Sequence, residues 1–137
     1  MKYVHSVRYY ETDRMGFAHH SNYLRWMEEA RIDMMEKLGY GYQKMEDEGI
    51  ISPVTKASLE YLKTTTFPDD VTIDVKVKSV GAVRLVISYE MTLDDGSLVC
   101  RAESEHCFLE KSGKIARIRK RLPDFYEKLK SLEETQD

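Results

Sequence analysis

Long apolar runs are missing from this sequence: no stretch approaches the ~20 apolar residues that a membrane-spanning helix needs. The N-terminus, MKYVHSVRYYETD, turns polar and acidic after one early lysine, so it lacks the apolar core of a secretory signal. Cysteine is scarce, with only Cys100 and Cys107. They fall seven positions apart on what reads as one strand, which points their side chains to opposite faces and disfavours a bridge between them. Two free thiols and no signal predict the reducing cytoplasm. A strong charge imbalance is absent too. The formal net charge of -3 gives no overall pull toward nucleic acid or an anionic membrane. Repeats, low-complexity runs and linkers are also lacking, so the 137 residues read as one domain, 1–137.

What is present is ordinary globular material, 42% hydrophobic and 33% charged, whose apolar period changes along the chain. Residues 2–10 suit an opening strand. Residues 11–21, rich in Asp, Gly, His and Ser, read as a loop. From about Asn22, Met27, Ala30, Met34 and Leu38 recur at spacings of three and four, and Tyr23, Leu24 and Met35 widen the stripe into a helix. Ser21 or Asn22 is the candidate N-cap and Gly39 the stop. A second short helix covers 43–48, ended by Gly49. The period then falls to two. Residues 53–66 give a weaker strand. Val71, Ile73, Val75 and Val77 form the inward face of the next, followed by Val83 to Leu93 and then Leu98 to Phe108. Pro68-Asp69-Asp70, Gly81, Asp94-Asp95-Gly96 and Ser112-Gly113 punctuate them. A closing amphipathic helix starts near Pro123, with Phe125, Leu129 and Leu132 on one side. Strands joined by short turns predict a largely antiparallel sheet with the long helix on one face, an α+β fold. The other face is expected to need a partner, hence at least a dimer.

The chemistry concentrates in YYETDRMGFAHHSNYLRWMEEAR. It carries Tyr9, Asp13, Gly16, His20, Asn22, Tyr23 and Leu24 in fixed register, then Glu28, Ala30 and Arg31. This pattern resembles the hot-dog-fold acyl-CoA thioesterases of the 4-hydroxybenzoyl-CoA thioesterase-like group. The resemblance implies a five-stranded antiparallel sheet wrapped around a long central helix, plus a C-terminal helix. It implies hydrolysis of acyl-CoA to free acid and CoA, with no separate cofactor because coenzyme A is part of the substrate. Asp13 becomes the catalytic carboxylate, as general base or nucleophile. His20 orients the carbonyl or Asp13 and shuttles a proton, and Tyr9 hydrogen-bonds near Asp13. Active sites of this group lie at subunit interfaces of homodimers or homotetramers.

The residues support that chemistry on their own terms. A carboxylate before a helix can act as base or nucleophile. Helix-start amides and the positive end of the dipole suit a thioester oxygen gaining negative charge. Gly16 allows close backbone approach or a positive φ. Asn22 and Tyr23 stand beside it as substrate-binding candidates. The His19-His20 doublet diverges in direction and has no third ligand at metal spacing, so no metal is expected. His106, on the apolar side of its strand, reads as a hydrogen-bonded core residue, while His5 carries no signal. Glu28 pairs with Arg31 one turn along. Both cysteines read as small apolar fillers.

A second feature, KIARIRKR at 114–121, has five basic residues in eight. It is a solvated strand end or turn, or a phosphate site in which Lys120, Arg121 and Arg84 meet the nucleotide end of CoA. Nucleic acid is disfavoured because no stacking aromatics flank the patch. Two alternatives share the fold: a thioesterase acting on acyl-carrier-protein esters, and a non-catalytic acyl-CoA-binding protein.

Overall fold

The computed structural model describes residues 1–133. Its elements run β1 (Lys2–Ser6), α1 (Ser21–Lys37), α2 (Tyr42–Asp47), β2 (Ile50–Ile51), β3 (Val54–Tyr61), β4 (Asp70–Val80), β5 (Arg84–Thr92), β6 (Leu98–Cys107), β7 (Leu109–Glu110), α3 (Ile118–Arg121) and α4 (Pro123–Leu132). The main sheet has five strands in the order β1-β4-β5-β6-β3, every pair antiparallel. β1 and β3 are therefore opposite edges, and α1, which joins them through the chain, lies across the face between. This is the hot-dog architecture that the motif implied.

The helix forms where the apolar spacing places it. Tyr23, Trp26, Met27, Ala30, Met34 and Met35 are buried on one arc, against strand residues such as Ile73, Val75, Ile87 and Tyr89 in the same core. Burying a large apolar side chain contributes roughly 1.5–3 kcal/mol, so this stripe holds helix and sheet together. Gly39, at φ +81°, ends the helix. The Tyr40 amide reaches back to the Met35 carbonyl at 2.9 Å and the Gly39 amide to Glu36 at 3.0 Å, a Schellman stop. α4 buries Phe125 and Leu129.

Two local expectations shift, and one element was not foreseen. The opening strand stops at Ser6, and residues 9–11 form a 3₁₀ turn. There the Glu11 carboxylate takes the Arg8 amide at 2.7 Å, which curls the chain away from the sheet. Part of the basic run is helical, because Ile118 is buried and nucleates α3. The short pair β2–β7 carried no periodic signal, being two residues long on each side. The sheet's outer face carries the Lys78–Glu103 and Arg84–Glu105 pairs, a surface that water can cover. No helix among the described residues is long and apolar enough to cross a membrane.

Candidate active site

Between Asp13 and Ala18 the chain makes a tight hairpin. Thr12 bridges Ala18, the Asp13 amide donates to the Phe17 carbonyl at 2.9 Å, and the Gly16 amide donates to Asp13 at 2.9 Å. Gly16 sits at φ +85°, a conformation L side chains rarely adopt, so the glycine is needed for the turn. The hairpin is zipped to the β3–β4 connection. The Ala18 amide meets the Thr65 carbonyl at 2.8 Å, and the Thr66 hydroxyl donates to the Gly16 carbonyl at 2.6 Å.

Beneath it lies a buried polar hub that the sequence did not announce. Glu11 is 6% exposed. One of its oxygens pairs with His5 Nε2 at 2.8 Å and the other takes the Trp26 indole N–H at 2.8 Å. His5 Nδ1 in turn contacts Glu29 at 2.8 Å. The Glu11 carbonyl accepts the His19 amide at 2.8 Å and the Asn22 side-chain amide at 2.9 Å. One residue thus ties β1, both ends of the loop and the start of α1. Burial alone pushes the Glu11 carboxyl up, but donors from Arg8, Trp26 and His5 outweigh it and hold the group below its ordinary 4.5. No periodicity marks a single buried glutamate inside a polar loop.

Asp13 is half-buried. Its Oδ1 accepts the Met15 amide at 2.9 Å, and among the described residues no side chain hydrogen-bonds to it. His20 is exposed at the helix start, its ring 6.0 Å edge-on from Tyr61 and 4.2 Å from His19. A cavity of about 250 Å³ opens there, walled by His20, Tyr23, Tyr61 and Lys63. Tyr23 is buried, with its hydroxyl 2.9 Å from the Thr65 hydroxyl.

Other candidates fall elsewhere. The Tyr9 ring is exposed and packs edge-on against Phe67 at 6.0 Å. The 3₁₀ turn buries Glu11 and leaves Tyr9 outside, so its phenol makes no hydrogen bond to Asp13 within one chain. Asn22 is buried in its tie to Glu11, and the cap position is His20, one residue before the expected Ser21 and two before Asn22. The first helix amides are not unpaired. Ser21, Asn22 and Tyr23 donate to His19 Nδ1, His19 O and His20 O at 3.2, 3.0 and 3.2 Å. What the helix start offers a substrate oxygen is therefore the positive end of its dipole.

Arg84 pairs with Glu105. Arg121 grips Glu110 at 2.6 and 3.1 Å and donates to the Glu48 carbonyl at 3.0 Å. Arg84 pairs across from Cys107, while Tyr61 pairs across from Cys100. Seven strand steps, roughly 23 Å, separate those two ends. Glu28 and Arg31 pair as expected. Burial pushes the Cys100 thiol up to about 11, so it stays protonated and a poor nucleophile.

His106 is buried as anticipated, its Nε2 2.7 Å from the Ser104 hydroxyl, which is 2.7 Å from the Tyr89 hydroxyl. Burial, with Arg31 adding to it, drops the imidazole from 6.5 to about 4. The unfolded chain takes up a proton there before the folded one does. Stability should fall as pH drops from 6.5 to about 4. Denaturant melts of wild type and His106→Leu across that range check this: the variant's slope with pH should be flatter.

A family model described as the thioesterase-like superfamily matches residues 7–130, nearly the whole chain. The chain belongs to the thioesterase-like superfamily. It is 35% identical over 128 residues to YneP of Bacillus subtilis (strain 168), covering 90% of this chain and 93% of that one. It is 26% identical over 97 residues to YbgC, an acyl-CoA thioester hydrolase of Escherichia coli O157:H7, covering 71% and 72%. The crystal structure of a DHNA-CoA thioesterase from Staphylococcus aureus superposes with a TM-score of 0.89 at 35% identity, over 96% of this chain and 91% of that one. The superfamily member therefore carries its Asp13 hairpin on the hot-dog scaffold described above.

Proposed function

We propose that this chain hydrolyses acyl-CoA thioesters to the free carboxylic acid and coenzyme A, with Asp13 as the catalytic carboxylate. The observation that carries the reading is the Asp13 hairpin itself. It is tied down by the Glu11 hub and the Thr65–Thr66 segment, yet its half-buried carboxylate accepts only the Met15 amide, on Oδ1, among the described residues. As general base, Asp13 takes a proton from water, the hydroxide adds to the thioester carbon, and the tetrahedral oxyanion collapses as the C–S bond breaks. The proton then returns to the departing thiolate, and His20 at the cavity mouth orients the carbonyl or hands the proton over. As nucleophile, the same carboxylate adds to the thioester carbon, the C–S bond breaks to expel the coenzyme A thiolate, which takes a proton, and water then cleaves the mixed anhydride to the free acid. Gly16 lets the hairpin backbone approach the substrate, Tyr23 walls the cavity, and Asn22 acts from below by holding Glu11.

The assembly is a homodimer or homotetramer in which the active site is shared. Support comes from β3, an eight-residue edge exposed at every position but Leu59 and bearing Val54, Ala57 and Tyr61. Such an edge is a template for pairing with a second strand. Arg84, Lys120 and Arg121 stand at the far end of the sheet from their own Asp13 hairpin, so they meet the CoA nucleotide only when a second chain brings them there. The protein acts in the cytoplasm.

The test is thiol release from straight-chain and aromatic acyl-CoA esters and from acyl-carrier-protein esters, at physiological salt. Turnover on CoA esters is expected. Faster turnover on carrier-protein esters would move the substrate class, and a folded protein inactive on every ester would leave an acyl-CoA-binding role instead. Sedimentation velocity should return a mass of two chains or more, and a single-chain mass would remove the shared-site part.

A further inference from the structure

β1 carries a histidine whose two ring nitrogens both face carboxylates. His5 Nε2 lies 2.8 Å from Glu11 Oε1 and Nδ1 lies 2.8 Å from Glu29 Oε2, and the residue is 8% exposed. An ionised carboxylate only accepts hydrogen bonds, and a neutral imidazole has a hydrogen on one nitrogen and a lone pair on the other. A neutral ring would therefore aim a lone pair at a carboxylate oxygen. Donating to both carboxylates requires hydrogen on both nitrogens, which makes the ring a cation. The Trp26 indole stacks on it at 4.7 Å and 28°, and an aromatic face attracts positive charge.

That charge is needed on the Glu11 side. Glu11 is buried, and among the described residues no side-chain cation other than His5 pairs with it. Its remaining donors, the Arg8 amide at 2.7 Å and the Trp26 indole at 2.8 Å, are neutral. A neutral His5, whichever nitrogen kept the hydrogen, would leave a buried carboxylate without a counter-charge, a strongly unfavourable state. Glu29 differs, because its side chain is 42% exposed and water can serve it. The consequence of the ring's charge falls on Glu11, two residues before Asp13. The Glu11 carbonyl takes the His19 amide at 2.8 Å and the Asn22 side-chain amide at 2.9 Å, so a shift of Glu11 reaches both ends of the hairpin.

The other titratable groups around the ring do not take over this role. Tyr3, also on β1, donates to Glu29 Oε2 at 3.3 Å, and burial, with Glu29 adding to it, raises the phenol so that it stays neutral. Asp33, one turn past Glu29 on α1, and Arg8, at the start of the 3₁₀ turn, act on Tyr3. β4 sets the apolar Val71 opposite His5, and Asp70 beside it accepts the Ser6 hydroxyl.

We propose that His5, held as an imidazolium between Glu11 and Glu29, is a positioning residue for the Asp13 hairpin, which loosens and slows the reaction when the ring loses a proton. This deepens the hydrolysis reading and rests on it for the role of Asp13. His5 touches no substrate and acts through Glu11.

Nitrogen-15 NMR of the imidazole in the free protein reads the first half directly. Both ring nitrogens should carry hydrogen at neutral pH. As pH is raised, the loss of one should move the Cα resonances of Gly16 and Phe17 with the same midpoint, and kcat for thiol release should fall with it. Glu29→Gln keeps an acceptor but removes a charge at an exposed side chain, and should bring these midpoints down together by about one pH unit. His5→Gln cannot span both carboxylates, and should lower kcat about 10–100-fold with KM within about threefold of wild type. If His5→Gln fails to fold, Glu29→Gln decides. A ring nitrogen without hydrogen at neutral pH overturns the proposal. So does a ring that keeps both hydrogens until the chain unfolds, a hairpin that ignores the ring's proton, midpoints that Glu29→Gln leaves in place, or a folded His5→Gln with wild-type kcat. If ring and hairpin titrate together while no ester is cleaved, the hydrolysis reading fails and the His5 clamp on the hairpin stands.

Discussion

Replacing Asp13 by asparagine is expected to lower kcat for thiol release by about 100–10,000-fold, the range that loss of a positioned acid–base group produces. The substitution is nearly isosteric. The side-chain oxygen can still accept the Met15 amide, which sits 2.9 Å from Oδ1, and the backbone bonds that close the hairpin at Phe17 and Gly16 are untouched. What disappears is the negative charge and its capacity to take a proton or attack carbon. The loss should therefore fall mainly on kcat, with KM changed far less. A thermal melt within about 2 °C of wild type would show that the hairpin is intact, since each kcal/mol moves the midpoint by a few degrees in a domain of this size. If folded Asp13→Asn releases thiol at the wild-type rate on every ester that wild type cleaves, Asp13 is not the catalytic group and the reading of the site fails.

The second large effect is one of stability. Glu11→Ala removes the acceptor of the Trp26 indole, the Arg8 amide and His5 at once. Those donors are then stranded in a region where Trp26 is 0% exposed and Val7 1%. Leaving buried polar partners unmatched costs about 1–3 kcal/mol for one group and 3–5 kcal/mol for a buried charged partner. A loss of roughly 3 kcal/mol is expected, or about 10 °C in the melting midpoint. Glu11→Gln keeps one acceptor oxygen and should lose less. A drop under about 2 °C for the alanine variant would mean that the hub contributes little.

The same residue predicts an acid limb. Its carboxyl is depressed in the folded state below 4.5, so its contribution is fully present above that value and is lost as pH falls through the folded pKa. The acid loss of stability below about 4.5 should be shallower in Glu11→Gln than in wild type, and melts at pH 3 to 6 would check it. This window begins near 4.5, inside the lower end of the His106 window, and continues below it, so the two variants separate the two groups on either side of the overlap.

The long helix, its glycine stop and the strand faces were legible in the chain because their signals are local. Met27, Ala30 and Met34 declare a helix through spacing alone, Gly39 ends it through its own backbone freedom, and Val71 to Val77 declare a strand by alternation. The identity of Asp13 as the candidate carboxylate was legible for a different reason. It belongs to a spaced set of residue types, Tyr9 to Arg31, that few other arrangements share.

Tertiary structure alone decided the rest, and in each case the partner is distant in sequence or invisible to periodicity. The zip between Gly16 and Thr66 spans the length of α1 and β3. Glu11 is buried only because β1 brings His5, and α1 brings Trp26, to the same point. Arg84 and Arg121 look like free phosphate ligands in a linear reading, but the sheet and the α3 turn place Glu105 and Glu110 against them. His106 was legible as a core residue, whereas its open Nδ1 and the small cavity beside it exist only where β6, β3 and α1 meet. The sequence by itself determined elements whose free energy is summed over neighbouring residues. The site's geometry depends on pairings across the chain, and only the packed fold could decide those.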